Sequence, residues 1–422
     1  MSRIVMKFGG TSVANVERIR HAARHVKREV DAGHEVTVVV SAMAGKTNEL
    51  VAWVGEASAL HDAREYDAVV ASGEQVTAGL MAIVLQDMGI SARSFTGWQI
   101  PIETDDAHGA ARIINIDPSI LNERMAAGQV CVVTGFQGIA PSGRVTTLGR
   151  GGSDTSAVAV AAAVKADRCD IYTDVDGVYT TDPRMAPRAR RISRIRCEGM
   201  LEMAALGAKV LQTRSGELAM AQKVRLAVRS TFDDPDAPQV APDGGDWGVP
   251  GTLVCEEDEI MEQQVVSGVT LAKAEAKITL RGVKDRPGVA AAVFGALADA
   301  HIVVDMIVQN ISEDGKETDI TFTVPDSEFD KSMRVLEAAS ERIEYKSVSG
   351  SKGSAKISVI GVGMRSHAGV ASSMFKALSD KGINIQLITT SEIKTSVLID
   401  EEYAELAVRA LHTYYGLDKV DA

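Results

Sequence analysis

A set of positions in the last third of the chain occurs twice, with a constant offset of 81 residues. The recurring positions are Ile278, Gly288, Val289, Phe294, Leu297 and His301-Ile302, which return as Val359, Gly369, Val370, Phe375, Leu378 and Gly382-Ile383. Each copy predicts the order strand, helix, strand, strand, helix and closing strand, which is the ferredoxin-like βαββαβ pattern. Because chance likeness would not keep one offset over so many positions, we interpret the tail as two copies of one small domain.

The part of the chain before this repeat alternates short β-branched runs with helical patterns. The runs that predict buried strands are Val36–Val40, Cys131–Thr134 and Asp170–Thr173. The residues that predict one face of an amphipathic helix are Val16, Ile19, Ala23, Val26 and Val30, with Asn15 as the N-cap. A second helix, over 155–164, is nearly all Ala and Val and is predicted to be buried on most sides. Strands that alternate with helices favour an α/β fold with a mainly parallel sheet covered on both faces, which is a three-layer αβα domain.

Size and charge narrow the classes of protein to consider. A chain of 422 residues is predicted to form several domains, and its net charge of −12 disfavours nucleic acid and anionic membranes as partners. We expect no signal peptide, because no apolar N-terminal stretch of that type is present. The cysteines, which we expect to be buried free thiols without metal-type spacing, are Cys131, Cys169, Cys197 and Cys255. These features predict a cytoplasmic protein with no nucleic-acid or membrane partner.

Two familiar nucleotide-binding motifs are absent from the sequence. Gly45-Lys46-Thr47 looks like the end of a Walker A loop, but that motif needs a glycine where the chain has Val40. No Gly-x-Gly-x-x-Gly follows the first predicted strand, so a dinucleotide site is not indicated. A phosphate-binding role must therefore depend on other glycine-rich loops.

The first such loop is Lys7-Phe8-Gly9-Gly10-Thr11-Ser12, which connects a predicted strand to a predicted helix. Glycine lets backbone N–H groups approach a phosphate closely, and a helix N-terminus favours anions. Lys7 adds a positive charge that can bridge transferring phosphates. A structural turn would show the same pattern, so this loop alone does not decide the function.

Two further loops, Thr147–Asp154 and Tyr172–Arg184, have the residue types of a ligand site. In the first, three glycines surround Arg150, which suits a bidentate contact with a carboxylate, while Asp154 can instead be an ordinary helix cap. The second combines polar and aromatic residues that suit adenine and ribose with Arg184 for phosphate. An ordinary Asp-Gly hairpin would also explain that pattern.

Together these loops resemble the motif set of the amino-acid kinase family, specifically its aspartate kinases. The other segments that carry the resemblance are Ser41–Thr47, Ser72-Gly73-Glu74 and Gly207-Ala208-Lys209-Val210, in the order of the family and within residues 4–254. The repeated tail resembles the tandem ACT domains of the same enzymes. The resemblance implies ATP- and Mg²⁺-dependent phosphorylation of the aspartate β-carboxylate, the first step toward lysine, threonine and methionine.

The resemblance also implies roles for individual residues of the first domain. The implied catalytic residues are Lys7, Asp154 and Lys209. The implied ATP site contains Lys7, Phe8, Gly9, Gly10, Thr173, Asp174, Tyr179, Asp182, Arg184 and Lys209. The implied aspartate site contains Ser41, Thr47, Glu74, Arg150, Gly151, Gly152 and Ser153. The Mg²⁺ ligands stay open.

For the tail, the resemblance implies binding sites for effector amino acids at interfaces between the two repeats. The implied residues are Asp285, Ala290, Asp305 and Gln309 in the first copy, and Val370, Ala371, Asn384, Ile385, Ser391 and Glu392 in the second. Lysine and threonine acting together are the implied effectors. A homo-oligomer formed through the ACT domains is expected, and the presence of an additional shorter regulatory chain is left open. Two departures from the family pattern are Ala368, where proline is usual, and a long stretch at 233–251 for which the sequence offers no functional account.

The implied domain bounds are 1–254 for the kinase domain, 255–276 for a connector, and 277–350 and 354–422 for the ACT domains. Two other functions stay open. One is another kinase of the family, acting on acetylglutamate, glutamate or a nucleoside monophosphate. The other is a catalytically inactive amino-acid-binding regulator.

Specific residues weigh against both alternatives. The ACT tail and the set Ser41, Glu74 and Arg150 favour aspartate as the acceptor over the other family substrates. An inactive regulator would be expected to have lost Lys7, Arg150 or Asp154, and the chain keeps all three.

Overall fold

The computed structural model describes residues 2–204, 211–237, 250–255, 265–312, 315–361, 364 and 369–419. The chain divides into two compact units. The first unit consists of Met1–Val178 and Arg191–Met261, and the second consists of Tyr179–Arg190 and Glu262–Ala422.

The first unit is built on a large, mainly parallel sheet. Its strands are β1 (Arg3–Phe8), β2 (Glu35–Val40), β3 (Ala92–Phe95), β4 (Ile102–Thr104), β5 (Ile113–Ile116), β6 (Val130–Thr134), β7 (Gln137–Ile139), β8 (Val145–Thr147), β9 (Arg168–Thr173), β10 (Arg194–Arg196), β11 (Leu226–Ser230) and β12 (Thr252–Cys255). Eight of them form one sheet in the order β10-β12-β11-β9-β1-β2-β6-β3, in which only β12 and β10 run opposite to the rest. A smaller sheet has the order β5-β4-β7-β8. The three buried runs predicted from the sequence all lie in the larger sheet.

Helices cover both faces of this sheet. They are α1 (Val16–Asp31), α2 (Lys46–Ala57), α3 (Ala63–Val70), α4 (Ser72–Asp87), α5 (Ser119–Ala126), α6 (Gly152–Ala163), α7 (Cys197–Met203) and α8 (Thr213–Gln222). Helices α1 and α4 share one core with alternate residues of β1, β2 and β6, while α5 and α6 contact the sheet from the other side. The predicted N-cap is confirmed, because the Asn15 side chain accepts a hydrogen bond from the backbone N–H of Arg18. The Ala-rich helix is also confirmed as α6, which is buried from Gly152 to Ala161.

One apolar stretch of this unit has the length and composition of a membrane span. It is Ala63–Asp87, which covers α3 and α4, and 56% of its most apolar window is buried inside the fold. Such burial is typical of a core helix.

A cluster of buried charges lies beneath β9 and β11. Asp170 is fully buried and accepts hydrogen bonds from Arg168 Nε at 2.5 Å and from Arg229 Nη1 at 3.0 Å. Glu29 of α1 lies 3.7 Å from both guanidinium groups. Burial alone would raise the pKa of Asp170, but the two arginines outweigh it and hold the pKa below its usual value. The cluster therefore links α1 to two strands through paired charges that are out of reach of water.

The second unit is built on an antiparallel sheet. Its elements are β13 (Val266–Lys284), α9 (Val289–Asp299), β14 (Asp305–Ile311), β15 (Glu317–Pro325), α10 (Phe329–Ala338), α11 (Ser340–Ile343), β16 (Ser347–Gly361), α12 (Val370–Ser379), β17 (Leu387–Thr390), β18 (Lys394–Asp400) and α13 (Ala404–Tyr414). The six strands have the order β14-β15-β13-β16-β18-β17. Each copy of the sequence repeat has its own hydrophobic core, so the predicted pair of ferredoxin-like domains is confirmed.

The closing strand of the second copy differs from the prediction. No strand follows α13 in the described residues up to 419. Instead, the first half of β13 pairs with the second half of β16, with Val269 opposite Val359. The sequence analysis assigned 266–276 to the connector, whereas these residues form the first half of β13, and Val266 and Val269 enter the core of the second copy.

The segment Tyr179–Arg190 belongs to the second unit, although in the sequence it interrupts the first unit between Val178 and Arg191. The Thr180 hydroxyl and His412 Nε2 are 2.8 Å apart, and Arg190 Nε donates to the carbonyl of Leu417 at 3.0 Å. The sequence analysis placed these residues in a kinase domain over 1–254, whereas here they group with the second unit. The domain bounds inferred from the sequence remain predictions.

The buried charge cluster generates a stability prediction. Asp170→Asn leaves two buried guanidinium groups without their main counter-charge, so we expect the free energy of unfolding to fall by about 3 kcal/mol. The measurement is urea unfolding of the full chain, read at the transition of the first unit. The matched control is Asp87→Asn, which breaks an exposed pair with Arg20 and should change the value by less than about 1 kcal/mol. Equal losses in the two variants would contradict the assigned role of the cluster.

Candidate active site

Five neighbouring parallel strands of the first unit end at one edge of the larger sheet. In spatial order they are β11, β9, β1, β2 and β6. The carboxyl edge of parallel strands is the usual place for a ligand in α/β folds. The candidate residues that lie in or directly after these strands are Lys7, Phe8, Gly9, Gly10, Ser41, Thr173 and Asp174.

An ion pair joins the end of β1 to the start of α6. Lys7 Nζ lies 2.5 Å from Asp154 Oδ1, and each residue is only 8% exposed. Asp154 is in the first turn of α6, where the partial positive charge of the helix also favours a carboxylate. The structure therefore brings together two of the three implied catalytic residues. Lys209, the third, lies outside the described residues.

The turn after β1 packs closely against the end of β2 and the Lys7 ammonium group, and its glycines leave room for these neighbours. A Cβ at Gly10 would lie 3.1 Å from the carbonyl oxygen of Ala42, and one at Gly9 would lie 3.4 Å from Lys7 Nζ. A short 3₁₀-helix, Gly10–Val13, follows directly. This arrangement matches a phosphate cradle in which backbone N–H groups and one ammonium group face the same anion.

Glu74 reaches the same edge from the first turn of α4. Its Oε1 accepts the backbone N–H of Ala42 at 3.0 Å, and its Oε2 is buried without a hydrogen-bond partner in the described part of the chain. Burial raises the pKa of Glu74 to about 7 although the hydrogen bond from Ala42 opposes the shift. A buried carboxylate oxygen without a partner is suited to accept a ligand ammonium group.

The loop before α6 presents Arg150 to solvent. Gly149 and Gly151 both have φ of 75°, a left-handed conformation that turns the chain sharply on either side of Arg150. Within the described residues, the Arg150 guanidinium group has no hydrogen bond or ion pair, and the residue is exposed. Gly152 and Ser153 are buried in the first turn of α6. The loop therefore offers a cation beside a helix N-terminus.

The two remaining residues of the implied aspartate site follow β2. The backbone N–H of Ser41 donates to the carbonyl of Phe8 at 3.1 Å, so Ser41 continues the pairing of β2 with β1. Thr47 is half-buried in the first turn of α2. Both are placed at the same sheet edge as Lys7, and their contacts with a substrate stay predictions.

The residues of the implied ATP site fall into two groups. Thr173 ends β9, where its hydroxyl donates to Asp174 at 3.1 Å. Tyr179, Asp182 and Arg184 belong to the second unit, where Arg184 Nη2 donates to Asp182 at 2.7 Å and this hydrogen bond lowers the pKa of Asp182. These candidate residues therefore belong to different units, and their roles in a nucleotide site stay predictions.

The sequence analysis missed several residues that shape this edge. The Ser12 and Thr231 hydroxyls are 2.5 Å apart, which ties the glycine turn to the end of β11. Gly135, directly after β6, leaves space for Ser153, because a Cβ there would lie 2.8 Å from that side chain. A glycine immediately after a buried strand was the available signal for Gly135, whereas nothing local indicated the contact between Ser12 and Thr231.

Comparisons with known proteins agree with this geometry. The amino acid kinase family model matches residues 2–230, and an ACT domain model matches 278–339 and 357–415. An aspartate kinase of Pseudomonas putida is 50% identical over 419 residues, covering 99% of this chain and 98% of that protein. The aspartokinase of Corynebacterium glutamicum is 44% identical over 426 residues, covering 100% and 98%.

The chain belongs to the amino acid kinase family, among its aspartokinases. A solved structure agrees: Escherichia coli aspartokinase III in complex with aspartate and ADP has a TM-score of 0.77 at 29% identity, covering 97% of this chain and 99% of that one. The same enzyme in complex with lysine and aspartate has a TM-score of 0.75 at 29% identity, covering 97% and 98%. The predicted fold class, a three-layer kinase domain followed by two ACT domains, is confirmed.

The implied effector residues of the aspartokinase tail lie in the second unit, some exposed and some half-buried. Asp285 and Ala290 flank the start of α9, and Gln309 is exposed on β14. In the second copy, the residues lie on α12, before β17 and in the β17–β18 turn: Val370, Ala371, Asn384, Ile385, Ser391 and Glu392. The loop at 365–368, which includes Ala368, lies outside the described residues.

The two ACT copies meet between β14 and β17. These strands approach each other with Cα atoms within 8 Å. Lys277 Nζ donates to Gln386 Oε1 at 2.9 Å, and Lys356 forms an ion pair with Asp305. Burial raises the pKa of Glu275 to about 7, with Lys356 opposing the shift. Asp305 therefore already has an internal ammonium partner, which an effector amine would have to replace.

The raised pKa of Glu74 generates a prediction about pH and stability. Because the folded state holds the Glu74 proton more tightly than the unfolded chain, the contribution of this residue to stability is greatest below pH 4.5 and is lost as the pH rises to about 7. We expect Glu74→Gln to remove a decline of about 2–3 kcal/mol over this range. The measurement is the difference in unfolding free energy between wild type and variant at several pH values. A difference that does not change with pH would contradict the environment assigned to Glu74.

Proposed function

We propose that this aspartokinase transfers the γ-phosphoryl group of ATP to the β-carboxylate of L-aspartate, giving 4-phospho-L-aspartate. The observation that carries the proposal is the buried Lys7–Asp154 pair beside the Gly9-Gly10 turn. The buried Glu74 carboxylate lies at the same sheet edge. The Lys7–Asp154 pair and the Gly9-Gly10 turn suit the binding of a transferring phosphoryl group, and Glu74 suits the binding of an amino-acid ammonium group.

The reaction needs no general base. The β-carboxylate of aspartate has a free pKa of about 3.9, so it is already ionised at neutral pH. The obstacle is the approach of one anion to another. Catalysis is therefore positioning and positive charge, supplied by Lys7, by Lys209 and by the N–H groups of the glycine turn. Asp154 holds the Lys7 ammonium group in place by their ion pair.

The orientation of aspartate follows from two opposite charges. Arg150 binds the α-carboxylate with its planar guanidinium group, and Glu74 takes the α-ammonium group. Ser41, Thr47 and Ser153, with the backbone of Gly151 and Gly152, supply further hydrogen bonds. With both α-groups held, the side chain is directed to the phosphoryl donor, which lowers the entropic part of the barrier.

Mg²⁺ completes the proposed nucleotide site by neutralising phosphate charge. No group of three or more His, Cys, Asp or Glu side chains in the described ranges could hold a metal ion. Mg²⁺ commonly binds through one or two carboxylates together with substrate phosphates and water, so such a cluster is not required. ATP would contact Lys7, Phe8, Gly9 and Gly10, with Thr173, Asp174, Tyr179, Asp182, Arg184 and Lys209 as the further candidates.

The first test measures the acceptor directly. With Mg²⁺-ATP and L-aspartate, the protein should form an acyl phosphate that hydroxylamine traps, whereas N-acetylaspartate should fail because its ammonium group is blocked. We expect Lys7→Ala to lower kcat by roughly 10²–10³. The control is Lys27→Ala, which removes a half-buried lysine whose ammonium group pairs with Asp31 one helical turn away. A better rate with acetylated amino acids or nucleotides than with aspartate would refute the proposal.

The proposed regulation is feedback inhibition by lysine and threonine bound at the ACT domains. Gln309 and Asn384 would line the threonine site, and Asp305 and Ser391 the lysine site. The approach of β14 to β17 supports these sites, because Asp305 and Gln309 lie on β14 while Asn384 precedes β17 and Ser391 follows it. An effector inhibits only if it binds one global state better than another.

The same proposal includes a cytoplasmic location and assembly through the ACT domains. It also includes a role for the product in the synthesis of lysine, threonine and methionine.

The regulatory proposal predicts the response to both amino acids. The aspartate-dependent rate across a grid of lysine and threonine concentrations should fall more with both present than with either alone. Gln309→Ala should relieve the inhibition and leave the uninhibited kcat near normal, because Gln309 is exposed on β14 and belongs to the second unit. A rate that is constant over the whole grid would remove the feedback proposal, and a response to one amino acid alone would remove only the concerted part.

A further inference from the structure

The Asp67 carboxylate has no role in the proposed reaction. It is buried and contacts Thr147, at the start of the loop that carries Arg150. Asp67 of α3 is fully buried. Its Oδ1 accepts the Thr147 hydroxyl at 2.5 Å, and its Oδ2 accepts Nδ1 of His108 at 2.7 Å. The backbone N–H of Gly109 lies 3.1 Å from both oxygens. Three donors from two distant loops therefore converge on one side chain.

The two loops that Asp67 holds also contact each other. The backbone N–H of Ala111 donates to the carbonyl of Thr147 at 2.9 Å. Gly149 packs so closely on the 108–111 turn that a Cβ on it would lie 3.1 Å from the carbonyl oxygen of Gly109. The residues just before Arg150 are thus fixed to a turn that Asp67 itself anchors.

Arg214 of α8 holds the same pair of loops from another side. Its Nη1 donates to the carbonyl of Leu148 and its Nη2 to the carbonyl of Ala111, both at 2.8 Å. Burial lowers the pKa of Arg214, with Arg112 acting in the same direction. One rigid guanidinium fork therefore sets the separation of the two loops, which a flexible lysine could not do in the same way.

We propose that Asp67, His108 and Arg214 are positioning residues that fix the Arg150 loop, and so set the KM for aspartate while leaving phosphoryl transfer itself unchanged. This inference rests on the proposed role of Arg150 as the carboxylate clamp. Arg150 has no partner of its own in the described residues, so its direction depends on the backbone over 147–152. Displacement of a binding group by about 1 Å can reduce an enzymatic rate by about 10²-fold.

The first test removes the side chains of His108 and Arg214 one at a time. His108→Ala removes the ring nitrogen that contacts Asp67, and Arg214→Ala removes the guanidinium group that donates to the carbonyls of Leu148 and Ala111. We expect each to raise the KM for aspartate by roughly tenfold, with kcat and the KM for ATP changed less than about twofold. His108→Asn places an amide N–H near the position of Nδ1 and should restore most of the affinity, whereas Arg214→Lys should not. The matched control is His61→Ala, which alters an exposed histidine that stacks on Tyr66 of the same helix α3.

The decisive comparison repeats both substitutions in the Arg150→Ala background. If His108 and Arg214 act through Arg150, their effects on the aspartate KM should shrink to less than about twofold there, because the group they orient is gone. Full effects in both backgrounds, or equal changes in the KM for aspartate and ATP, would overturn the positioning role. An unchanged aspartate KM in Arg150→Ala alone would instead refute the clamp and, with it, this inference. Unfolding midpoints of all variants separate these outcomes from loss of the fold, and the Arg214 series keeps the test valid if His108→Ala does not fold.

Discussion

The ion pair between Lys7 and Asp154 is the interaction on which the proposed site depends. It joins the last residues of β1 to the first turn of α6, which are the two elements that carry the glycine turns. Lys7 is only 8% exposed and has lost most of its hydration, so the attraction of Asp154 offsets part of the cost of burying its charge. The ion pair with Asp154 holds the ammonium group in place before any anion arrives. An incoming phosphate therefore meets a positive group that needs no further ordering.

The same arrangement resolves a conflict between the charge of the chain and that of its ligands. The net charge of −12 repels anions at long range, while both ATP and the β-carboxylate of aspartate are anionic. Salt screens the long-range part within about 10 Å, so the local field decides binding. At the sheet edge this field comes from Lys7, Arg150 and the N-termini of the helices that begin there. Glu74 is the exception, because its buried Oε2 has no hydrogen-bond partner among the described residues and is suited to the one cationic group of aspartate.

Sequence reasoning succeeded where a feature depends on near neighbours in the chain. The face of α1, its Asn15 cap and the buried strands follow from local periodicity, and the offset repeat revealed the two ACT copies. It failed where burial is decided by distant residues. Asp67 looks like an ordinary polar residue of a short helix, and its partners His108 and Thr147 lie 41 and 80 residues further along the chain. The second role of β13 was hidden for the same reason, because its partner strand β16 is a distant part of the sequence.

The shared long strands give a physical reason to expect that the two ACT copies respond together. The first half of β13 completes the sheet of the second copy, and its second half is the first strand of the first copy. Strand β16 likewise runs through both copies, with Ser349 opposite Thr279 in the first copy and Val359 opposite Val269 in the second. A rotation of one copy would shift the register or the twist of strands that also form the core of its neighbour. In the proposed regulation, a ligand that stabilises one arrangement of β14 against β17 would act on both cores at once, which is the coupling that concerted inhibition would require.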